Sequence, residues 1–139
     1  MLDIQEKRTA PPALVSYAKG QIQDILMSVS GVDFIMICST DGFELASVSK
    51  KNHYNSSKLA AVSSSIHAMV NAFLGEIHLT GVQSITLDAD NGKAIITSVP
   101  GERHPMVIVV LAAKDILIGQ LLHGLKSASH NIEKREMIF

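Results

Sequence analysis

The chain alternates between two hydrophobic periods. From Ala13, the residues Leu14, Val15, Ala18, Ile22, Ile25, Leu26 and Val29 recur at helical intervals until Ser30-Gly31, predicting a first helix. Pro11-Pro12 bars helix immediately before Pro12, and the polar, unpatterned residues 1–12 read as a flexible tail. Phe34-Ile35-Met36-Ile37-Cys38 is a continuous apolar run, Asp41-Gly42 is a hairpin signal, and Phe43 to Val48 forms a second extended segment. After the polar Lys50 to Asn55, Ser56 or Ser57 is placed to cap a long helix reaching to about Ile77. Ser84 to Asp88 alternates polar with apolar, Asn91-Gly92 signals a hairpin, and Lys93 to Val99 returns as a fourth strand. The loop Pro100-Gly101-Glu102-Arg103-His104-Pro105 leads to a fifth strand, Met106 to Ala112. Asp115 is the expected cap of a last helix with Ile118, Leu121, Leu122, Leu125, Ser129 and Ile132 on one face.

Strands one and five are apolar on both faces, so helices must cover them above and below, which makes them central. Strand three shows polar residues on every second position and belongs at an edge. With short connections between strands one and two, three and four, and four and five, the simplest arrangement is a single antiparallel five-stranded sheet in the order 2-1-5-4-3. The expected fold is α+β, with helices one and three on one face and long helix two on the other. One domain spans residues 13–133, followed by an extension over 134–139, and the sequence assigns no role to its Met137-Ile138-Phe139.

Helix two is unusual in having no charged residue from Leu59 to Gly75. On a helical wheel, Leu59, Val62, Ile66, Met69, Val70, Phe73, Leu74 and Ile77 occupy one arc, which is expected to meet the sheet. The opposite arc holds Ala61, Ser64, Ala68, Ala72 and Gly75, where a solvated helix back normally carries Lys and Glu. Such a face suits either helix propensity alone or close approach of a partner, and the partner reading is favoured. The edge strand, through Ser84 and Thr86, either pairs with a second copy or is protected by Asp88 and the adjoining turns. The expected homodimer interface is therefore Ala61, Ser64, Ala68, Ala72, Gly75, Ser84 and Thr86.

Composition narrows the function. At 139 residues, with 47% apolar and 18% charged side chains, the chain is long enough for one core and too apolar for disorder. A net charge of -1 lacks the basic excess that nucleic-acid binding requires. Ser63, Ser64, Ser65, His67 and Asn71 interrupt the uncharged helix, so no membrane insertion is expected. The lone Cys38 has no disulfide partner within the chain and the start lacks a signal-peptide core, which points to the cytoplasm.

The pattern resembles the Roadblock/dynein light chain family, in its free-standing prokaryotic type. The residues carrying the resemblance are Gly31 to Ile37 followed by Ser39-Thr40-Asp41-Gly42-Phe43-Glu44-Leu45-Ala46-Ser47, the Leu59-Ala60-Ala61 opening of helix two, Ile85-Thr86-Leu87 before Asn91-Gly92, and Ile118-Gly119-Gln120-Leu121. The resemblance covers about residues 13 to 132 and implies a homodimer with joined sheets that regulates or scaffolds a separate Ras-like small GTPase. No catalytic residues are implied. On the wheel, Lys58, His67 and Asn71 flank helix two and are the candidate GTPase contacts, and Arg103 joins them as the one arginine in an ordered-looking loop.

Other chemistry fails on spacing. A P-loop needs G-x-x-x-x-G-K-[ST], whereas Gly92-Lys93 is followed by Ala94 in a hairpin. Asp88-Ala89-Asp90-Asn91-Gly92 places its glycine one position early for a calcium loop. The six histidines show no ligand spacing, and Cys38 sits in a central apolar strand, so no catalysis, metal or cofactor is expected. An alternative function is a small-molecule sensor or adaptor with a profilin-like architecture, which a cavity with convergent polar groups would favour.

Overall fold

A computed structural model describes residues 10–51 and 54–139. The expected tail lies outside the described residues as far as Thr9. The chain forms α1 (Pro12–Ser28), β1 (Val32–Ser39), β2 (Glu44–Ser49), α2 (Ser56–Glu76), β3 (Ser84–Ala89), β4 (Gly92–Val99), β5 (Met106–Ala112) and α3 (Ile118–Glu136). The five strands make one sheet in the order β2-β1-β5-β4-β3, with every neighbouring pair antiparallel, as the strand patterns predict.

Alternation along the central strands divides the core in two. Ile35, Ile37, Ile95, Ile108 and Val110 point to the face covered by α1 and α3, where Leu14, Ile22, Leu121, Leu125 and Ile132 are fully buried. Each such side chain contributes about 1.5–3 kcal/mol relative to leaving it in water. The two helices run antiparallel: Asn131 Nδ2 donates to Gln21 Oε1 at 3.1 Å, and the Arg135 guanidinium lies 4.1 Å from the centre of the Tyr17 ring. Phe34, Met36, Cys38, Ile96, Val107 and Val109 point the other way and form a smaller core beneath α2.

Several element ends differ from expectation. Asn55 caps α2 by accepting from the Lys58 N–H at 3.2 Å, while Ser56 Oγ donates instead to Glu44 Oε1 at 2.7 Å. Phe43 stays outside β2 because its carbonyl accepts from Ser39 N at 2.8 Å and its N–H donates to Ser39 Oγ at 3.1 Å, closing the hairpin. Asp115 does not cap α3: Ile116 N reaches back to Ala113 O at 3.2 Å, and this turn carries the chain on to Leu117 as the cap residue. The last helix runs through to Glu136.

Candidate interaction surface

The middle helix meets the sheet with only part of the side its large apolar residues predict, Leu59 and Ile66 packing on the smaller core. Ala60, Ser63 and Ser64 are buried, whereas Val62, Met69, Phe73 and Ile77 are 48%, 64%, 62% and 48% exposed. At 100° per residue this displaces the contact arc by about a quarter turn from the expected one. Gly42, with φ +100°, brings the β1–β2 hairpin so near α2 that a side chain there would lie 3.5 Å from Ala61 Cα. Ser64 satisfies its hydroxyl locally, 2.8 Å from Ala60 O and 3.2 Å from Ser39 O.

Ser64 therefore faces the sheet, which corrects its placement on the outward arc. Ala61, Ala68, Ala72 and Gly75 are exposed on α2, and Ser84 and Thr86 are exposed on β3. Register puts Ser84 and Thr86 opposite Thr97 and Ile95, on the α1/α3 side, while Ile85 and Leu87 point to the α2 side.

His67 turns partly inward from its expected place on an exposed flank, while Asn71 stays exposed there. His67 Nε2 lies 2.6 Å from Ser98 Oγ. That hydroxyl donates to Val82 O at 2.6 Å, so it accepts from His67 and the imidazole proton sits on Nε2. Burial holds the His67 pKa below its ordinary value. Asn71 Oδ1 accepts from Val82 N at 3.2 Å. Lys58 remains exposed. Arg103 is exposed in the β4–β5 loop, but its Nη1 donates to Phe139 O at 2.6 Å and its backbone N–H to Glu136 Oε2 at 2.9 Å.

What the rotation leaves outside is an apolar surface. Val62, Met69 and Phe73 run along the outer side of α2, and Leu79 and Leu87 add 54% and 44% exposed side chains from the following segment and from β3. No charge interrupts it between Leu59 and Gly75. Uncharged apolar area of this kind is cheap to desolvate. The residues the sequence reading misses are Leu79 and Leu87.

Elsewhere the chemistry is structural. Burial pushes the Cys38 thiol up to about 11, despite a hydrogen-bonding contact with Ser64 Oγ at 3.9 Å. The Asp88 carboxylate, held below its ordinary pKa by hydrogen bonds from Lys93 and Lys114, pins the β3–β4 hairpin. Among the described residues no three His, Cys, Asp or Glu side chains are placed to hold a metal ion, and no helix is long and apolar enough to cross a membrane.

An antiparallel sheet of this order, with two helices on one face and one long helix on the other, defines the chain as a Roadblock-type α+β domain. The family model of the Roadblock/LC7 domain matches residues 19–112, and the chain belongs to that family. Its fold is similar to the gliding protein MglB of Thermus thermophilus, with a TM-score of 0.82 at 14% identity, covering 94% of this chain and 96% of that one. It is similar, too, to an MglB structure with a tetrameric arrangement, at TM-score 0.81 and 14% identity over 93% of this chain and 94% of the other. A Roadblock/LC7 domain from Streptomyces avermitilis aligns at TM-score 0.76 and 12% identity, over 86% and 97%. No curated protein matches the chain in sequence.

Proposed function

We propose that this protein is a cytoplasmic homodimer that binds a Ras-like small GTPase and regulates or scaffolds it in signalling, without catalysis of its own. The observation that carries the reading is the uncharged outer side of α2, continuous with the free edge of β3. Two copies related by a two-fold axis beside β3 would join their sheets and bring the two α2 helices together. Val62, Met69, Phe73 and Leu87 are the side chains such an arrangement would cover, with Ala61, Ala68, Ala72 and Gly75 allowing close approach of backbones and Ser84 and Thr86 lying along the paired edge. Family membership supports a regulatory or adaptor role, and the fold similarity to MglB, including its tetrameric arrangement, supports self-association.

The GTPase would meet the paired helices near their N-terminal ends, where Lys58 is exposed. Arg103 is a more distant candidate, available once its contact to Phe139 is released. The test is to mix the purified protein with a purified Ras-like GTPase from the same genome, measuring the mass of the complex and the rate of GTP hydrolysis. A complex containing two copies of this chain, lost on substitution of Met69 by Lys, is the expected result. Failure of every such GTPase to bind, or hydrolysis of GTP by this chain alone, would overturn the reading.

A further inference from the structure

On the other face of the sheet, a groove of about 400 Å³ opens between α3 and the β3–β4 edge. Its wall is apolar, formed by Leu122, Val82 and Pro100, and its size is within the range of small-molecule sites. Thr97 lines it. Two residues to either side in β4, Ile95 and Val99 both enter the core under α1 and α3, so the pleat points Thr97 to the same face. Thr97 is 6% exposed, and its Oγ1 is the one buried side-chain oxygen or nitrogen among the described residues without a hydrogen-bond partner. An orphan hydroxyl in a β-strand is costly, and a valine would fill the same volume without that cost. Ser84, its cross-strand neighbour in register, opens onto the same groove.

The rim adds charge. Lys126 and His130 lie one turn apart along α3, and Glu133 follows, all three lining the groove. Among the described residues none of these three side chains has a hydrogen-bond or ion-pair partner, so the groove gathers polar groups that the described fold does not use. Two nitrogen-bearing side chains on one side favour a single negative charge between them. The carboxylate of Glu133 beside them repels any anion, a dianion such as phosphate more strongly than a monocarboxylate.

We infer that this groove binds a small carboxylic acid with an apolar body. The carboxylate sits between Lys126 and His130 and the apolar body packs on Leu122, Val82 and Pro100; Thr97 Oγ1, closed to solvent beneath the floor, gains the partner it lacks when the floor side chains part over a ligand oxygen. This site is separate from the GTPase reading, since it is on the sheet face opposite α2, and each can fail without the other.

The test is an amide NMR titration of the full chain with phenylacetate to about 10 mM, a range suited to weak ligands. Acetate and phenylacetamide serve as probes lacking the apolar body and the charge. Saturable shifts at residues 82–84, 97–98 and 122–133 with phenylacetate, and at least about tenfold weaker binding of the other two, are expected. Lys126→Glu with His130→Glu should weaken phenylacetate at least about tenfold, and since both side chains are exposed the fold should persist. Thr97→Val should weaken binding while raising the melting temperature, two opposite effects that a purely structural residue would not show. Absence of shifts, shifts scattered over other surface lysines, equal binding of phenylacetamide, or full affinity in the double variant would each overturn the site. Full affinity in Thr97→Val would overturn the floor contact.

Discussion

His67 and Ser98 stand 2.6 Å apart, and their hydrogen bond ties α2 to β4 across the smaller core. With Asn71 holding Val82 N, this is a polar clamp between α2 and the start of β3. Replacing both His67 and Asn71 by Glu should therefore lower stability by about 1–3 kcal/mol through unpaired groups at Ser98 and Val82, besides any effect on binding. Thermal unfolding of the double variant measures this, and an unchanged melting temperature would show that the clamp contributes nothing.

The same histidine makes stability depend on pH. Burial lowers its pKa in the folded state, so the unfolded chain takes up the proton more readily. Stability is then fully present above the ordinary histidine value of about 6.5 and declines as pH falls from there toward the folded pKa. The melting temperature should drop modestly over that window in the parent protein, and less in His67→Gln, which keeps a donor for Ser98 without titrating.

Two neighbouring positions on α2 should respond differently to the same change. Ala68→Arg places a charge on the outer side and is expected to convert a dimer to a folded monomer at tens of micromolar, read by light scattering. Ser64→Arg instead forces a guanidinium into a site only 6% exposed against β1, and should unfold the chain, at a cost above about 3 kcal/mol. A folded Ser64→Arg would mean that the helix is not seated as described.

Glu136 is nearly buried at the C-terminal end of α3, and its Oε2 accepts from Arg103 N at 2.9 Å and His104 N at 2.8 Å. Burial pushes its pKa up, but these N–H groups and that of Glu102 together outweigh burial and hold the carboxyl below its ordinary value. A depressed carboxyl contributes stability above its ordinary value near 4.3 that is lost as pH falls through the folded pKa. Glu136→Gln should cost about 1–3 kcal/mol near neutral pH, with the difference from the parent shrinking in acid.

Cys38 offers a probe of opening. A buried thiol with a pKa near 11 is almost entirely protonated at pH 8, so the native protein should react slowly with a thiol-specific reagent and quickly in denaturant. Fast native labelling would show that β1 and α2 separate readily.

The strands show how much the sequence by itself determined. Two-sided apolar runs at 34–38 and 106–112 placed β1 and β5 at the centre, the alternation at 84–88 placed β3 at the edge, and short hairpins left one order for the sheet. These are local periodicities, and a sheet reads them directly. Helix caps were less legible, because Asn55, Ser56 and Ser57 offer similar oxygens within three residues and only the hydrogen bond to Glu44 decides how Ser56 is used. The seating of α2 was decided by tertiary structure alone. Its uncharged circumference gives a wheel no polar side to reject, and only the packed structure shows Ala60, Ser63 and Ser64 as the buried residues. That seating drew His67 partly inside, set Asn71 against Val82 N, and left Val62, Met69 and Phe73 outside. Thr97 was equally out of reach, since a hydroxyl is known to be orphaned only when every neighbour in space, from β3 to α3, has been placed.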